Sequence, residues 1–158
     1  EIIDFLADMD GAEKTEGTEY LDRIRSQNDV IEKDHKIMMA MYRWLQLINE
    51  GRNPSDFFVR HGYHHVAIYG LGMLGKILRT GLLRKQIAVS YTIDQNPAME
   101  ESDVINWKDE WKPVDCIVVT PFYEYETIKK RIRLEKGNFR VISLEDILLD
   151  TEYKREFM

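Results

Sequence analysis

Hydrophobic and polar positions change their period several times along this chain, and each change marks an element. Residues 66–69, Val-Ala-Ile-Tyr, form an apolar run without polar alternation. That is the pattern of a strand buried on both faces of a parallel sheet. Beyond it Leu71, Leu74, Ile77, Leu78 and Leu82 recur at helical spacing and predict an amphipathic helix. A β-rich run at 87–94 follows, then a short apolar piece at 103–105 and a second buried run at 115–120. Thr120 and Pro121 supply an N-cap and first-turn pair for a helix around 122–136, which stops at Gly137. Residues 139–143 read as a fifth strand, and Ser143 caps a closing helix over 144–149.

Upstream of the first strand the period is helical. Asn28 is a cap for a helix over 29–50 that ends at Gly51 and spans roughly 33 Å. Its stripe includes Ile37, Met41, Trp44 and Ile48, in a 4-3-4 spacing that serves either packing on the sheet or a homodimer contact. Asn53, Pro54 and Asp56 open a short helix that Gly62 closes. Residues 1–28 are acidic and turn-rich after the apolar start Ile2, Ile3, Phe5 and Leu6, and read as a lead-in. Asp8-Met9-Asp10-Gly11 lacks the ligand ladder and closing Glu of a calcium loop. The organisation expected is therefore 1–28 lead-in, 29–62 helical segment and 63–158 sheet domain.

The junction between the first strand and its helix carries the chemistry. Gly70-Leu71-Gly72-Met73-Leu74-Gly75 fits the G-x-G-x-x-G pattern in its strand–turn–helix context. The first glycine permits the tight turn, the second lets a phosphate approach the backbone, and the third lets helix pack on strand. Amides of this turn and of the helix start then face the anion, which the helix dipole favours. Asp94 closes the second strand 19 residues after Gly75, where a ribose-binding acid belongs. Alternating strands and helices with this motif predict an α/β fold, a Rossmann-like doubly wound parallel sheet ordered 3-2-1-4-5, preceded by a long N-terminal helix. In that order Thr120, Pro121, Phe122 and Tyr123 stand beside the glycine turn as a wall for base or ribose.

Composition narrows the function classes. The chain of 158 residues is 44% hydrophobic and 32% charged, with a net charge of −6. That excludes a general nucleic-acid binder, which needs clustered Lys and Arg. No apolar stretch reaches membrane-spanning length, and no signal peptide is visible. One cysteine, Cys116, sits inside an apolar strand, which leaves no disulfide framework and fits a cytoplasmic setting. His61, His64 and His65 crowd the amino end of the first strand, away from the ligand end of such sheets, and read as a solvated turn rather than a metal site. Trp107 and Trp111 read as a cover for a sheet edge rather than a platform for a sugar. Tyr125 and Lys129 have the spacing of the short-chain dehydrogenase pair, but Tyr125 belongs to the apolar stripe of its helix with Ile128 and Ile132. No acid, base or nucleophile constellation is readable.

Residues 62–72, with Tyr91-Thr92-Ile93-Asp94, Val118-Val119-Thr120-Pro121 and Val141-Ile142-Ser143-Leu144-Glu145-Asp146, carry a resemblance across roughly 40–150. The chain resembles the Rossmann-like accessory domains found beside bacterial glycosyltransferases, choline-phosphotransferase-like enzymes and sugar methyltransferases of surface-polysaccharide synthesis. The resemblance implies a module that binds a nucleotide or nucleotide-sugar, or that merely organises an enzyme, and it brings no assigned catalytic residues to carry over. A small NAD-dependent oxidoreductase and a purely structural assembly domain are the alternatives. Asp94 serves the ribose of NAD and of nucleotide-sugars alike, and disfavours NADP by repelling its 2′-phosphate.

Overall fold

A computed structural model describes residues 11–96 and 103–153, without the side chains of 11–15. The apolar start at 2–6, the Asp8 to Asp10 string, Pro97 and the tail beyond 153 lie outside the described residues. Two compact units are distinguished, Glu1–Met38 and Met39–Met158.

Helix α1 (Gly11–Asn49) has 39 residues. It begins well before Asn28, which corrects the expected start, and residues 11–28 are helical rather than a turn-rich lead-in. Glu, Lys, Leu and Arg are good helix formers and outweigh the weak stop signals of Gly17 and Asn28. Glu19 with Arg23 and Asp29 with Lys33 also have the favourable i,i+4 charge order. Gly51, at φ +79°, terminates α1, and the Arg52 amide donates back to the Leu47 carbonyl at 2.8 Å. In the second unit Ala40, Trp44 and Leu47 of α1 are buried, Trp44 to 3% exposure. The 4-3-4 stripe is therefore divided: Trp44 is a core residue of its own domain, whereas Ile48 is 46% exposed. Trp44 is accordingly withdrawn from any dimer contact.

The rest of the second unit is α2 (Asp56–His61), β1 (His65–Tyr69), α3 (Met73–Arg84), β2 (Ala88–Ile93), β3 (Val104–Ile105), β4 (Cys116–Val119), a 3₁₀ turn (Phe122–Glu124), α4 (Tyr125–Glu135), β5 (Val141–Ser143) and α5 (Leu144–Tyr153). All five strands are parallel, in the order β3-β2-β1-β4-β5, as the hydrophobic pattern predicts. Ala67 and Tyr69 of β1 share a core with Ile117 and Val119 of β4 and with Ile128 and Ile132 of α4. The intervening Val66, Ile68, Cys116 and Val118 are completely buried, so both faces of these strands are covered. Burial pushes the Cys116 thiol up to about 12, which keeps it an inert core group.

Pairing of β1 with β2 skips Ser90, because Val66 faces Val89 and Ala67 faces Tyr91. This bulge resets the alternation, so that Tyr91 and Ile93 join Ala67 and Tyr69 in one core cluster. Trp111 belongs to that cluster and half-buried Trp107 packs against it; the two rings meet edge-to-face, 4.9 Å between centroids, with the Arg131 guanidinium 4.0 Å above the Trp107 ring. They cover the sheet.

At the amino ends of the central strands, one Asp115 carboxylate oxygen accepts from the His64 and His65 amides, both at 2.8 Å. The Asp115 amide returns a bond to the His65 carbonyl at 2.8 Å, which clamps the start of β4 to the start of β1. His61 instead stacks between Phe57 and Tyr63. No metal-ligating cluster is found among the described residues, and no described helix is long and apolar enough to cross a membrane.

The amide bonds from His65 and His64 lower the Asp115 pKa below 3.8. Because the folded value is the lower one, the clamp stabilises the fold fully above about pH 4, and that contribution fades as pH falls through the folded value. Urea unfolding of wild type and Asp115→Asn between about pH 2 and 5 is expected to give a shallower acid loss in the variant. Parallel curves would show that the clamp is energetically silent.

Candidate functional site

Parallel order 3-2-1-4-5 makes β1 and β4 the neighbouring strands from which connections leave in opposite directions, and in open parallel sheets the carboxyl ends at such a point are where ligands bind. The residues 70–75 occupy that position. Gly70 sits at φ +93°, a left-handed value that glycine adopts without strain. Its amide donates to the Ile93 carbonyl of β2 at 2.8 Å. A Cβ on Gly70 would also lie 2.8 Å from both Pro121 Cδ and Thr120 Oγ1. On Gly75 a Cβ would lie 2.1 Å from the Gly70 carbonyl oxygen. Those two glycines are required by packing inside the protein.

Gly72 differs. Its backbone is extended, φ −79° and ψ −160°, and it is the N-cap of α3. Nothing lies within 4 Å of a Cβ built there. Leu71 is fully buried and Leu74 nearly so, which anchors the turn, while Met73 is 63% exposed. The first intrahelical bond is Lys76 N to the Gly72 carbonyl at 3.0 Å, so the amides ahead of it have no acceptor within the helix. They are donors available to an anion, in the field of the helix N-terminus.

Asp94 lies where the spacing predicts and also braces the turn. Its Oδ2 accepts from the Leu71 amide at 2.8 Å, and its Oδ1 accepts from the Asn96 amide at 2.8 Å. A carboxylate has about four acceptor positions, so capacity for a ribose hydroxyl remains. Beside it Gln95 Nε2 donates to the Tyr69 hydroxyl at 2.9 Å. Burial raises the Tyr69 pKa, and the nearby Arg131 charge works against that rise. Sequence reasoning did not place Tyr69 and Gln95 here. Their adjacency to Gly70 and Asp94 at the ends of two neighbouring strands was the available signal.

Thr120 is not a helix cap. It is 4% exposed, and its Oγ1 lies 2.8 Å from the Gly70 carbonyl oxygen and 3.1 Å from that of Tyr69, as a donor beneath the turn. Pro121 packs against Gly70, and it is the N-cap of the 3₁₀ turn rather than a first-turn residue of α4. Phe122 and Tyr123 line a separate recess of about 330 Å³ with Glu124, Glu126, Glu145 and Asp146, whose charge opposes a phosphate. A second recess of about 330 Å³ lies between Trp44, Ile48 and α3. Neither contains the glycine turn. The Tyr125 hydroxyl donates to the Val141 carbonyl at 2.9 Å and so ties α4 to β5. That use agrees with the place of Tyr125 on the apolar stripe.

The contrast among the glycines is measurable. Gly75→Ala forces a side chain into the Gly70 carbonyl and is expected to cost about 1–3 kcal/mol or more in urea unfolding. Gly72→Ala meets no atom and is expected to cost no more than about 1 kcal/mol, the N-cap preference of glycine over alanine. Equal losses at both positions would contradict the packing described.

No protein-family model, curated protein or solved structure matches the chain, so the functional reading rests on the geometry of this turn.

Proposed function

We propose that this chain is a doubly wound, Rossmann-like module that holds the phosphate of a nucleotide or nucleotide-sugar at residues 70–75. In a doubly wound sheet of this order, the rule of right-handed crossovers places α3 and α4 on opposite faces, the arrangement that opens such a crevice. One observation carries the reading: Gly72 has neither the backbone conformation nor the internal crowding that demands glycine. Close approach by a molecule from outside accounts for its identity. The helix start supplies amide donors, and Asp94 supplies the acceptor for a ribose hydroxyl.

The resemblance to accessory domains of surface-polysaccharide enzymes gives this binding a setting, a cytoplasmic module beside a transferase. In it the module recognises the nucleotide part of a donor and leaves the transfer step to the enzyme. A nucleoside diphosphate group satisfies both halves of the site, phosphate at the turn and ribose at Asp94. NADP is disfavoured, since a 2′-phosphate would face the Asp94 carboxylate.

A thermal-shift panel of UDP, CDP, ADP and NAD tests the proposal. A ligand at 100 times its dissociation constant adds about 2.7 kcal/mol, on the order of 5–10 °C for a chain of this size. At least one member is expected to give such a shift, and Gly72→Val is expected to lose it while its unliganded midpoint stays near that of wild type. A shift that survives Gly72→Val would place the ligand elsewhere, and no shift with any member would favour the assembly role alone.

A further inference from the structure

Two side-chain ties join the carboxyl ends of β1 and β2. The Leu71 amide donates to Asp94 Oδ2 at 2.8 Å, and Gln95 Nε2 donates to the Tyr69 hydroxyl at 2.9 Å. Residues 69 and 71 after β1 thus hold residues 95 and 94 after β2. The other carboxylate oxygen, Asp94 Oδ1, accepts from the Asn96 amide at 2.8 Å. Asp94 therefore lies between a tie made by its own carboxylate and a tie made by the next side chain.

Tyr69 is the fixed end of the second tie. It is 6% exposed, belongs to the core shared by β1, β4 and α4, and meets the Trp107 ring edge-to-face at 6.1 Å. The register of β1 against β2 sets it opposite Ile93, the residue before Asp94. Burial raises its pKa above the ordinary value, so the hydroxyl stays neutral and serves as an acceptor. Gln95, by contrast, is exposed. A glutamine at such a position gives up rotamer freedom by folding back on a phenol, and one neutral hydrogen bond returns little net stability. The consequence of the bond is positional: it holds the backbone of 94–96 against the end of β1.

We propose that Tyr69, acting through Gln95, is the positioning residue of the ribose half of the site and fixes the Asp94 carboxylate where it accepts from a ribose hydroxyl. The inference rests on the nucleotide reading above and divides its affinity in two. The amides of Gly72 and Met73 belong to the start of α3, so phosphate binding is independent of the tie. Hydroxyl recognition depends on it, because a carboxylate selects a hydroxyl only when its lone pairs are held in one direction. A buried phenol thereby sets the preference for ribose over a sugar that lacks its hydroxyls.

Calorimetry with UDP and ADP, each beside its 2′,3′-dideoxy counterpart, and with inorganic phosphate tests the division. Wild type is expected to bind at least one ribonucleotide about tenfold or more tighter than its dideoxy form, the worth of a charge-assisted hydrogen bond. Tyr69→Phe keeps the ring in the core and is expected to bring that ratio to within about threefold of unity, with dideoxy and phosphate affinities within about twofold of wild type. Gln95→Leu, at an exposed position, is expected to do the same, and the double variant to lose no more than either single one, as for two ends of one bond. A ribose preference that survives both single variants, or a loss shared equally by the dideoxy ligand and phosphate, would overturn the inference and leave the nucleotide reading standing. A wild type that binds neither UDP nor ADP would overturn both.

Discussion

At the carboxyl end of β1 the chain turns so tightly that a Cβ on Gly75 would stand 2.1 Å from the Gly70 carbonyl oxygen, so the two backbones approach as only glycine allows. The carboxyl end of the sheet depends on that contact. It sets where α3 begins and so where the first-turn amides point. Neighbouring strands hold the turn from both sides. From β2 come the Ile93 carbonyl on the Gly70 amide and the Asp94 carboxylate on the Leu71 amide. From β4 come the Thr120 hydroxyl beneath the Gly70 carbonyl and the Thr120 amide on the Tyr69 carbonyl. A buried backbone group without a partner costs on the order of 1–3 kcal/mol, so these bonds fix a single turn geometry.

The same bonds divide the labour within the turn. Gly70 and Leu71 spend their amides on the protein, and the amides that follow belong to the helix start, where an anion is favoured. Asp94 pulls in the other direction, because a carboxylate repels a phosphate placed too near. Its two backbone bonds hold it back on the Leu71 side, so a ligand that satisfies both must present phosphate and hydroxyls in separate places. A ribose phosphate does so. Inorganic phosphate offers only half of the match.

The features legible from sequence are those with a local cause. β1 and β4 show as unbroken apolar runs, the glycine spacing marks the turn, and Asp94 ends a β-rich run, so strand order and the place of the turn follow from short stretches. What escaped has a non-local cause. The Ser90 bulge exists only in the register of β2 against β1. Thr120 followed by Pro121 has the local signature of a helix cap, but its hydroxyl is drawn across the sheet to the Gly70 carbonyl. Trp44 and Ile48 share one helical period on α1, and periodicity alone does not say which of them meets the protein's own core. Helix α1 also ran through Asn28, because a capping residue stops a helix only when the residues before it are poor formers.

Backbone amide NMR during titration with a nucleoside diphosphate tests the central claim most directly. The account predicts that the largest shifts fall on the amides of Gly72, Met73, Leu74 and Gly75, with smaller ones at Asp94, and that inorganic phosphate reproduces the former at higher concentration without the latter. Shifts centred on the acidic recess of Phe122 and Glu145, or on the histidine end of β1, with residues 72–75 unmoved, would contradict it.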